Sequence, residues 1–322
     1  MPVFAADGAA AFTDVSNKHP AYQAITYLHD KGLIAGYPDG TFKPNQQVDR
    51  AAAIKMVLAG KVTDADAKAL ANPGYSDVAK DAWYAGYAAK AVQLGIIDGP
   101  SASPAFNGGR PVILAEFLKV LELAQGMDPK SYGEIMLPFA GDVTDAKAWY
   151  YPYVRLGMAS SLLQVDAQGL LHPDKKLTRG DVAQYVYYLL MYKESRRTQA
   201  LLSLAETELS GNVIPNLSAQ GLQSAKMAHT RALLAARGAL ASRPDAAIVK
   251  GAVKVTEGFG AIVDAYDAGV GGRPDDVLTA TGKAWKLAEE AKSFSPSLAE
   301  IAGQMEQIAH NMAEEARSLK AK

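Results

Sequence analysis

Three segments carry an Asp-Val pair in the same setting, and no other feature of the chain narrows its fold as far. They are Phe12-Thr13-Asp14-Val15, Tyr75-Ser76-Asp77-Val78 and Ala140-Gly141-Asp142-Val143, with the aspartates 63 and 65 residues apart. After each comes an apolar pattern of helical period: Ala24, Ile25 and Leu28, then Ala88, Ala91, Val92 and Leu94, then Tyr153, Val154 and Leu156. Each pattern stops at a glycine, Gly32, Gly95 or Gly157, where a helix C-cap is expected. A loop follows, and the spacing predicts a second helix over Ala51 to Leu58, Leu114 to Leu123 and Val182 to Met191. From the aspartate to the second helix start is 36 residues at Arg50, 37 at Leu114 and 37 at Arg179. Helix-loop-helix at fixed period is an internal repeat, and two short helices cannot bury their apolar faces alone, so the copies must pack on one another.

The loop of the first copy reads Gly36-Tyr37-Pro38-Asp39-Gly40-Thr41-Phe42-Lys43-Pro44, followed by Val48-Asp49-Arg50-Ala51-Ala52. Pro38 presets a turn angle, Asp39 bonds the turn and Gly40 supplies a positive φ. Asp49 stands where a helix N-cap belongs. Aromatic-x-Asp-Val, a Trp six or seven residues on, Gly-Tyr-Pro-Asp-Gly-Thr-Phe-x-Pro and a Thr-Arg-Ala-Glu-like helix start together resemble the S-layer homology domain, over roughly residues 11 to 192. The copies depart from that pattern. The first has Pro20 for the Trp and Asp49-Arg50-Ala51-Ala52 at the helix start; the second keeps Trp83 but reads Gly99-Pro100-Ser101-Ala102-Ser103-Pro104 in its turn and Ile113-Leu114-Ala115-Glu116 after it. The arginine is lost there, and Arg110, about one helical turn upstream, is the candidate substitute. The third keeps Trp149 and Thr178-Arg179-Gly180-Asp181, with Val165-Asp166-Ala167-Gln168-Gly169 as its loop. The resemblance implies a mainly α fold: a pseudo-threefold trimer of helix-loop-helix repeats with one helix of each copy in a central bundle and grooves between three lobes.

The expected organisation is repeat 1 over 11–73, repeat 2 over 74–138, repeat 3 over 139–192 and an antiparallel helical bundle over 193–322. The bundle region holds 4 of the 26 aromatics and none of the repeat. Its apolar periodicity predicts helices near 195–210, 219–241, 245–267, 275–292 and 298–319, the last carrying the stripe Leu298, Ile301, Met305, Ile308, Met312, Ala316 and Leu319. Ser297 with Glu300 has the spacing of a capping box. With no Gly or Pro between Lys193 and Arg197, one helix is expected to run from repeat into bundle. In residues 1–10, Pro2-Val3-Phe4-Ala5-Ala6 before Asp7-Gly8 resembles the end of an export signal; the alternative is a disordered start without a role.

Chemistry has few footholds. A net charge of −1 gives no bulk attraction for nucleic acid, and no apolar run approaches the roughly 18 residues of a spanning helix. Absence of cysteine excludes disulfides and thiol catalysis. His19, His29, His172, His229 and His310 show no metal-ligand spacing, Glu306 and His310 being four apart where a bundle metal motif needs three. No phosphate loop, nucleophile elbow or dinucleotide fingerprint appears. The expectation is a protein without catalytic activity, metal or cofactor.

Binding is the better-supported class. A guanidinium at the start of a helix, beside free N–H groups, can hold a carboxylate. The resemblance implies that Arg50 and Arg179 do so for a pyruvylated secondary cell-wall polysaccharide, in an exported protein of the cell envelope; the other reading is that they only tie lobes together through Asp14, Asp77 or Asp142. Arg110 and Glu116 join them as candidates. Tyr37, exposed by its turn, and Asp39 are candidate sugar contacts. Trp83 and Trp149 are further candidates, although burial in the core is the expectation for a Trp repeated at one position. The Asp of each Asp-Val pair is read as a turn or cap residue ahead of the first helix. Residues 1–192 hold 17 Lys plus Arg against 19 Asp plus Glu, which does not choose between an anionic polysaccharide and peptidoglycan bearing cations. A partner protein for the helical bundle is the other expected partner. The rival classes are an oligomerising scaffold of the envelope, driven by the 298–319 stripe, and a wall-modifying enzyme.

Overall fold

The computed structural model describes residues 11–59, 61–135, 138–193 and 197–321. The expected export remnant at 1–10 and the expected helical join at 194–196 lie outside them. The described residues are mainly helical, with isolated bridges as their only β pairing. The first copy contributes α1 (Tyr22–Asp30) and α2 (Arg50–Leu58), a short α3 (Asp64–Lys68) follows, the second copy contributes α4 (Ala85–Gln93) and α5 (Leu114–Ala124), and the third α6 (Tyr151–Ala159) and α7 (Arg179–Lys193). Then come α8 (Arg197–Glu208), α9 (Leu222–Ser242), α10 (Ala247–Val270), α11 (Pro274–Phe294) and α12 (Ala299–Lys320). Two compact units emerge, one within 1–129 and 172–190, the other within 130–171 and 191–322, so the division falls inside the third copy.

The helix ends follow their residues. Gly32 (φ +66°) and Gly95 (φ +67°) take the left-handed position after α1 and α4, and Leu33 N and Ile96 N reach back to Leu28 O and Ala91 O. The third expected stop was placed too early: Gly157 lies inside α6, and Ser161 (φ +57°) takes the left-handed position, with Leu162 N bonding Gly157 O. Asp49 caps α2 through Ala52 N at 2.7 Å. Thr178 and Asp181 cap α7 reciprocally, Thr178 N donating to Asp181 at 2.8 Å and Asp181 N to Thr178 Oγ1 at 3.1 Å.

In the first unit the three loops close on one another. Val48 N donates to Leu177 O, Leu177 N to Val112 O and Val112 N to Val48 O, at 2.9, 3.0 and 3.0 Å, a ring with one buried member from each copy. A second set surrounds it: Arg50 N to Arg110 O, Leu114 N to Lys175 O and Arg179 N to Gln46 O, each 2.9 Å. A third follows, Ala51 N to Gly108 O, Ala115 N to Pro173 O and Gly180 N to Pro44 O. The first turn of a helix leaves N–H groups without intrahelical partners; here the loop of the next copy accepts them. The same offset governs packing. The lobe built on α1, with Phe12, Ile25, Leu28 and Phe42, closes against Ala183 and Val186 of α7.

The aspartates of the Asp-Val pairs lie in turns ahead of α1, α4 and α6, as expected, and their carboxylates reach further. They pin the loop, not the first helix: Asp14 accepts Phe42 N and Lys43 N at 2.8 and 2.7 Å, Asp77 accepts Phe106 N and Asn107 N at 2.7 Å each, and Asp142 accepts Leu171 N at 2.9 Å. The residue after each pinned aromatic or leucine, Lys43, Asn107 or His172, has φ between 53° and 58°. That left-handed step turns two successive N–H groups toward one carboxylate, which offsets the strain of the conformation.

In the second unit, α8 to α12 form the expected helical bundle, with Phe259, Ile262, Ala284, Ala288 and Met305 in its main core. Alanine permits close approach, and Gly238 carries this furthest: a Cβ there would lie 1.9 Å from Ala159 O at the end of α6. Ser297 and Glu300 do not form a capping box; a 3-10 turn over Pro296–Leu298 leads into α12 with no side-chain cap. The α12 stripe is consumed inside the chain, Met305 and Ala316 being buried and Leu298, Ile301, Ile308 and Met312 packed on the core, which leaves Leu319 as its exposed apolar residue. Arg231 and Glu208, side chains 6% exposed, pair bidentately at 2.7 Å; Arg231 also donates to Phe139 O and Asn212 to Glu208.

Candidate functional site

The first lobe is built on the turn from Tyr37 to Gly40. Gly40 N donates to Tyr37 O, Gly40 has φ +79°, and Asp39 accepts Thr41 N at 3.0 Å and Thr41 Oγ1 at 2.6 Å. These bonds from Thr41, with Lys43 at 3.6 Å, hold the Asp39 carboxyl below the usual range. Asp39 is thus exposed and held by its own turn. Tyr37 is half-buried where exposure was expected, because its ring lies between two cations, Lys43 Nζ at 4.1 Å and the Arg179 guanidinium at 5.0 Å. Arg179 comes from α7, the third copy. Its Nε donates to Phe42 O at 2.7 Å and its Nη2 to Ala35 O at 3.4 Å, with Phe42 beneath it at 4.5 Å. Burial lowers its pKa. The tie between lobes therefore exists, made through loop carbonyls.

The second lobe receives Arg50 from the first copy. The guanidinium lies 5.4 Å from the Phe106 ring centre, and Nε is buried without a hydrogen-bond partner among the described residues. Burial lowers its pKa, with Glu116 opposing and Arg110 adding to the shift. Arg110 and Glu116 form a bidentate pair at 2.7 and 2.5 Å, which raises the Arg110 pKa. Ile113 has no side chain that can cap α5, so Glu116, at the capping-box position, turns out to Arg110. Arg110 does not stand in for the arginine missing at Leu114. The backbone pattern makes it the counterpart of Gln46 and Lys175, and its side chain stands beside Arg50.

At the helix start of the second copy Leu114 is apolar and buried. The loop Val165 to Gly169 nevertheless keeps the turn, with Gly169 N bonding Asp166 O and Asp166 N bonding Leu170 O, as Gly40 and Tyr37 do in the first copy. Asp166 thus occupies the place of Tyr37.

Trp83 and Trp149 are 57% and 52% exposed, against the expectation of core burial. Their neighbours take the inner place: Tyr84 stacks on Phe106 at 5.5 Å, and each Trp stands edge-on outside the tyrosine that follows it, at 5.4 and 5.8 Å. Lys55 lies 6.0 Å from the Trp83 ring centre. Among the described residues no group of three or more His, Cys, Asp or Glu could hold a metal ion, and no helix is long and apolar enough to cross a membrane.

The first and second lobes thus each take a guanidinium from a neighbouring copy and set it beside an aromatic ring. Residues 11–54, 74–118 and 141–183 match the S-layer homology domain, so the chain carries three tandem copies of it. It is 29% identical over 212 residues to S-layer protein EA1 of Bacillus anthracis, covering 66% of this chain and 24% of that protein. To an S-layer protein of Bacillus licheniformis it is 31% identical over 179 residues, 55% of this chain and 19% of the relative. An uncharacterized cell wall amidase of Bacillus anthracis is 33% identical over 128 residues, 40% of this chain and 23% of that protein. The chain thus spans about a quarter or less of these relatives' length. The matches mark it as an exported, S-layer-associated protein of the cell surface.

Proposed function

We propose that this chain is a non-catalytic anchor that holds a carboxylate-bearing wall polysaccharide, of the pyruvylated secondary-polymer class, in its first and second lobes, and displays the helical bundle. The observation that carries this is Arg50, a half-buried cation with an unpaired Nε, set beside an aromatic ring and a second arginine. A buried guanidinium N–H without a partner is unfavourable in the free protein, and a carboxylate supplies what it lacks. Arg179 with Tyr37 and Lys43 offers the equivalent in the first lobe, and the exposed Trp83 offers a face for a sugar ring in the second.

The test is a pull-down with cell-wall sacculi, native and stripped of secondary polymer by hydrofluoric acid. Loss of one charge-assisted bond, about 1.5–3 kcal/mol, weakens binding roughly ten- to a hundredfold. Binding lost on stripping and weakened by Arg50→Ala supports the reading. Binding that survives stripping moves the ligand to peptidoglycan, and absence of binding refutes the anchor.

A further inference from the structure

In the bundle, α8 and the start of α12 stand on either side of α10 and leave a cleft of about 470 Å³ between them. Leu202, Leu209, Ala252, Val255, Leu298 and Ile301 make its apolar surface. Polar side chains share the lining, the buried Thr256 of α10 among them. Glu206 belongs to one wall, Glu300 and Gln304 to the other, and both glutamates are exposed and without an ion pair among the described residues. No lysine or arginine lines the cleft. The neighbouring cations are engaged elsewhere: Lys254 bonds Glu290 at 2.9 Å, and Lys292 bonds Glu306 at 2.5 Å. The α8 wall is also irregular. Its helix passes into a π turn over Leu209–Val213, a rare conformation that is frequent at functional sites, and Ser210 of that turn lines the cleft.

A cleft lined by apolar side chains together with two unpaired carboxylates selects for charge as well as for grease. The volume falls within the range of small-molecule sites, roughly 300–1,000 Å³. The floor along α10 from Ile248 to Thr256 runs about 12 Å at the helical rise, the length of an extended chain of some ten carbons. We propose that the cleft binds an organic cation with an apolar tail, of the alkylammonium class: the tail lies on α10, and the ammonium is held at the rim by Glu206 and Glu300.

Titration calorimetry of the full chain with decylammonium, decanoate and decanol tests this. Decylammonium is expected to bind saturably, and decanoate at least about tenfold more weakly. Removing one methylene should weaken binding about fourfold. Glu206→Gln with Glu300→Gln, both exposed and so compatible with the fold, should weaken decylammonium about tenfold or more and leave decanol unchanged. Ala252→Phe, which fills the floor, should abolish binding of all three. Equal affinity for decylammonium and decanoate, absence of saturable binding, or binding untouched by the paired Gln substitutions would overturn the proposal. So would a Lys-rich amphipathic helical peptide that binds where decylammonium does not.

Discussion

Arg50 and Arg179 occupy equivalent helix starts but have opposite relations to the folded state, and thermal unfolding separates them. Arg179 donates a 2.7 Å charge-assisted bond to Phe42 O and lies against Phe42 and Tyr37. Losing that bond costs about 1.5–3 kcal/mol, and the ring contacts add about 0.5–1 kcal/mol. For a unit of this size, each kcal/mol moves Tm by roughly 2–4 °C, so Arg179→Met should lower the transition of the first unit on the order of 5–10 °C. Arg50 has no such bond. Replacing a desolvated, unbonded guanidinium by an apolar side chain of similar length is neutral or stabilising, and Arg50→Met should leave Tm within about 3 °C of the parent or raise it. Differential scanning calorimetry of the two variants, paired with the sacculus assay, reads both effects. Arg50→Met is expected to keep stability and lose wall binding. If it destabilises as much as Arg179→Met, Arg50 is a structural tie and the second lobe is not a preformed anion site.

The buried Arg231–Glu208 pair should cost about 3–5 kcal/mol when only one partner is removed, by Arg231→Met or Glu208→Leu, whereas the double substitution should recover much of that loss; urea unfolding measures the coupling. Burial pushes the pKa of His229 down, its Nε2 lying 3.0 Å from Thr256 O. The unfolded chain then binds the extra proton, so stability present above about pH 6.5 is lost as pH falls below it, and His229→Gln should flatten that dependence in denaturation midpoints taken across the window. Gly238→Ala places a Cβ 1.9 Å from Ala159 O and should cost about 1–3 kcal/mol, the overpacking range, seen as a lowered Tm.

Much of this fold was legible because periodicity and caps are local. Helix starts at Arg50, Leu114 and Arg179 and stops at Gly32 and Gly95 follow from short patterns that need no partner. Gly157 misled because a glycine tolerated within α6 looks like a stop, while the true left-handed residue is Ser161, which carries no such signal. The bonds made by Asp14 and Asp77 span 28 to 30 residues, beyond any local template. The exposure of Trp83 and Trp149 was misjudged because adjacent tyrosines compete for the same inner space. Arg231 and Glu208 sit in helices of ordinary composition, and only the meeting of α8 and α9 makes them a buried pair. Which arginine serves which loop was likewise hidden, since the offset between copies arises from the backbone ring.

That offset makes the repeats interdependent in heredity as well as in space. The most complete loop motif, at Tyr37 to Pro44, works with an arginine encoded some 140 residues downstream. A stop codon after Pro129 would leave that motif untouched and still remove its arginine. Loss of the third copy would strip the first loop of its arginine while leaving Arg50 with the second loop. Such a chain can drift one side chain at a time, but a change in its number of copies re-pairs at least one helix start with a new loop at the same stroke.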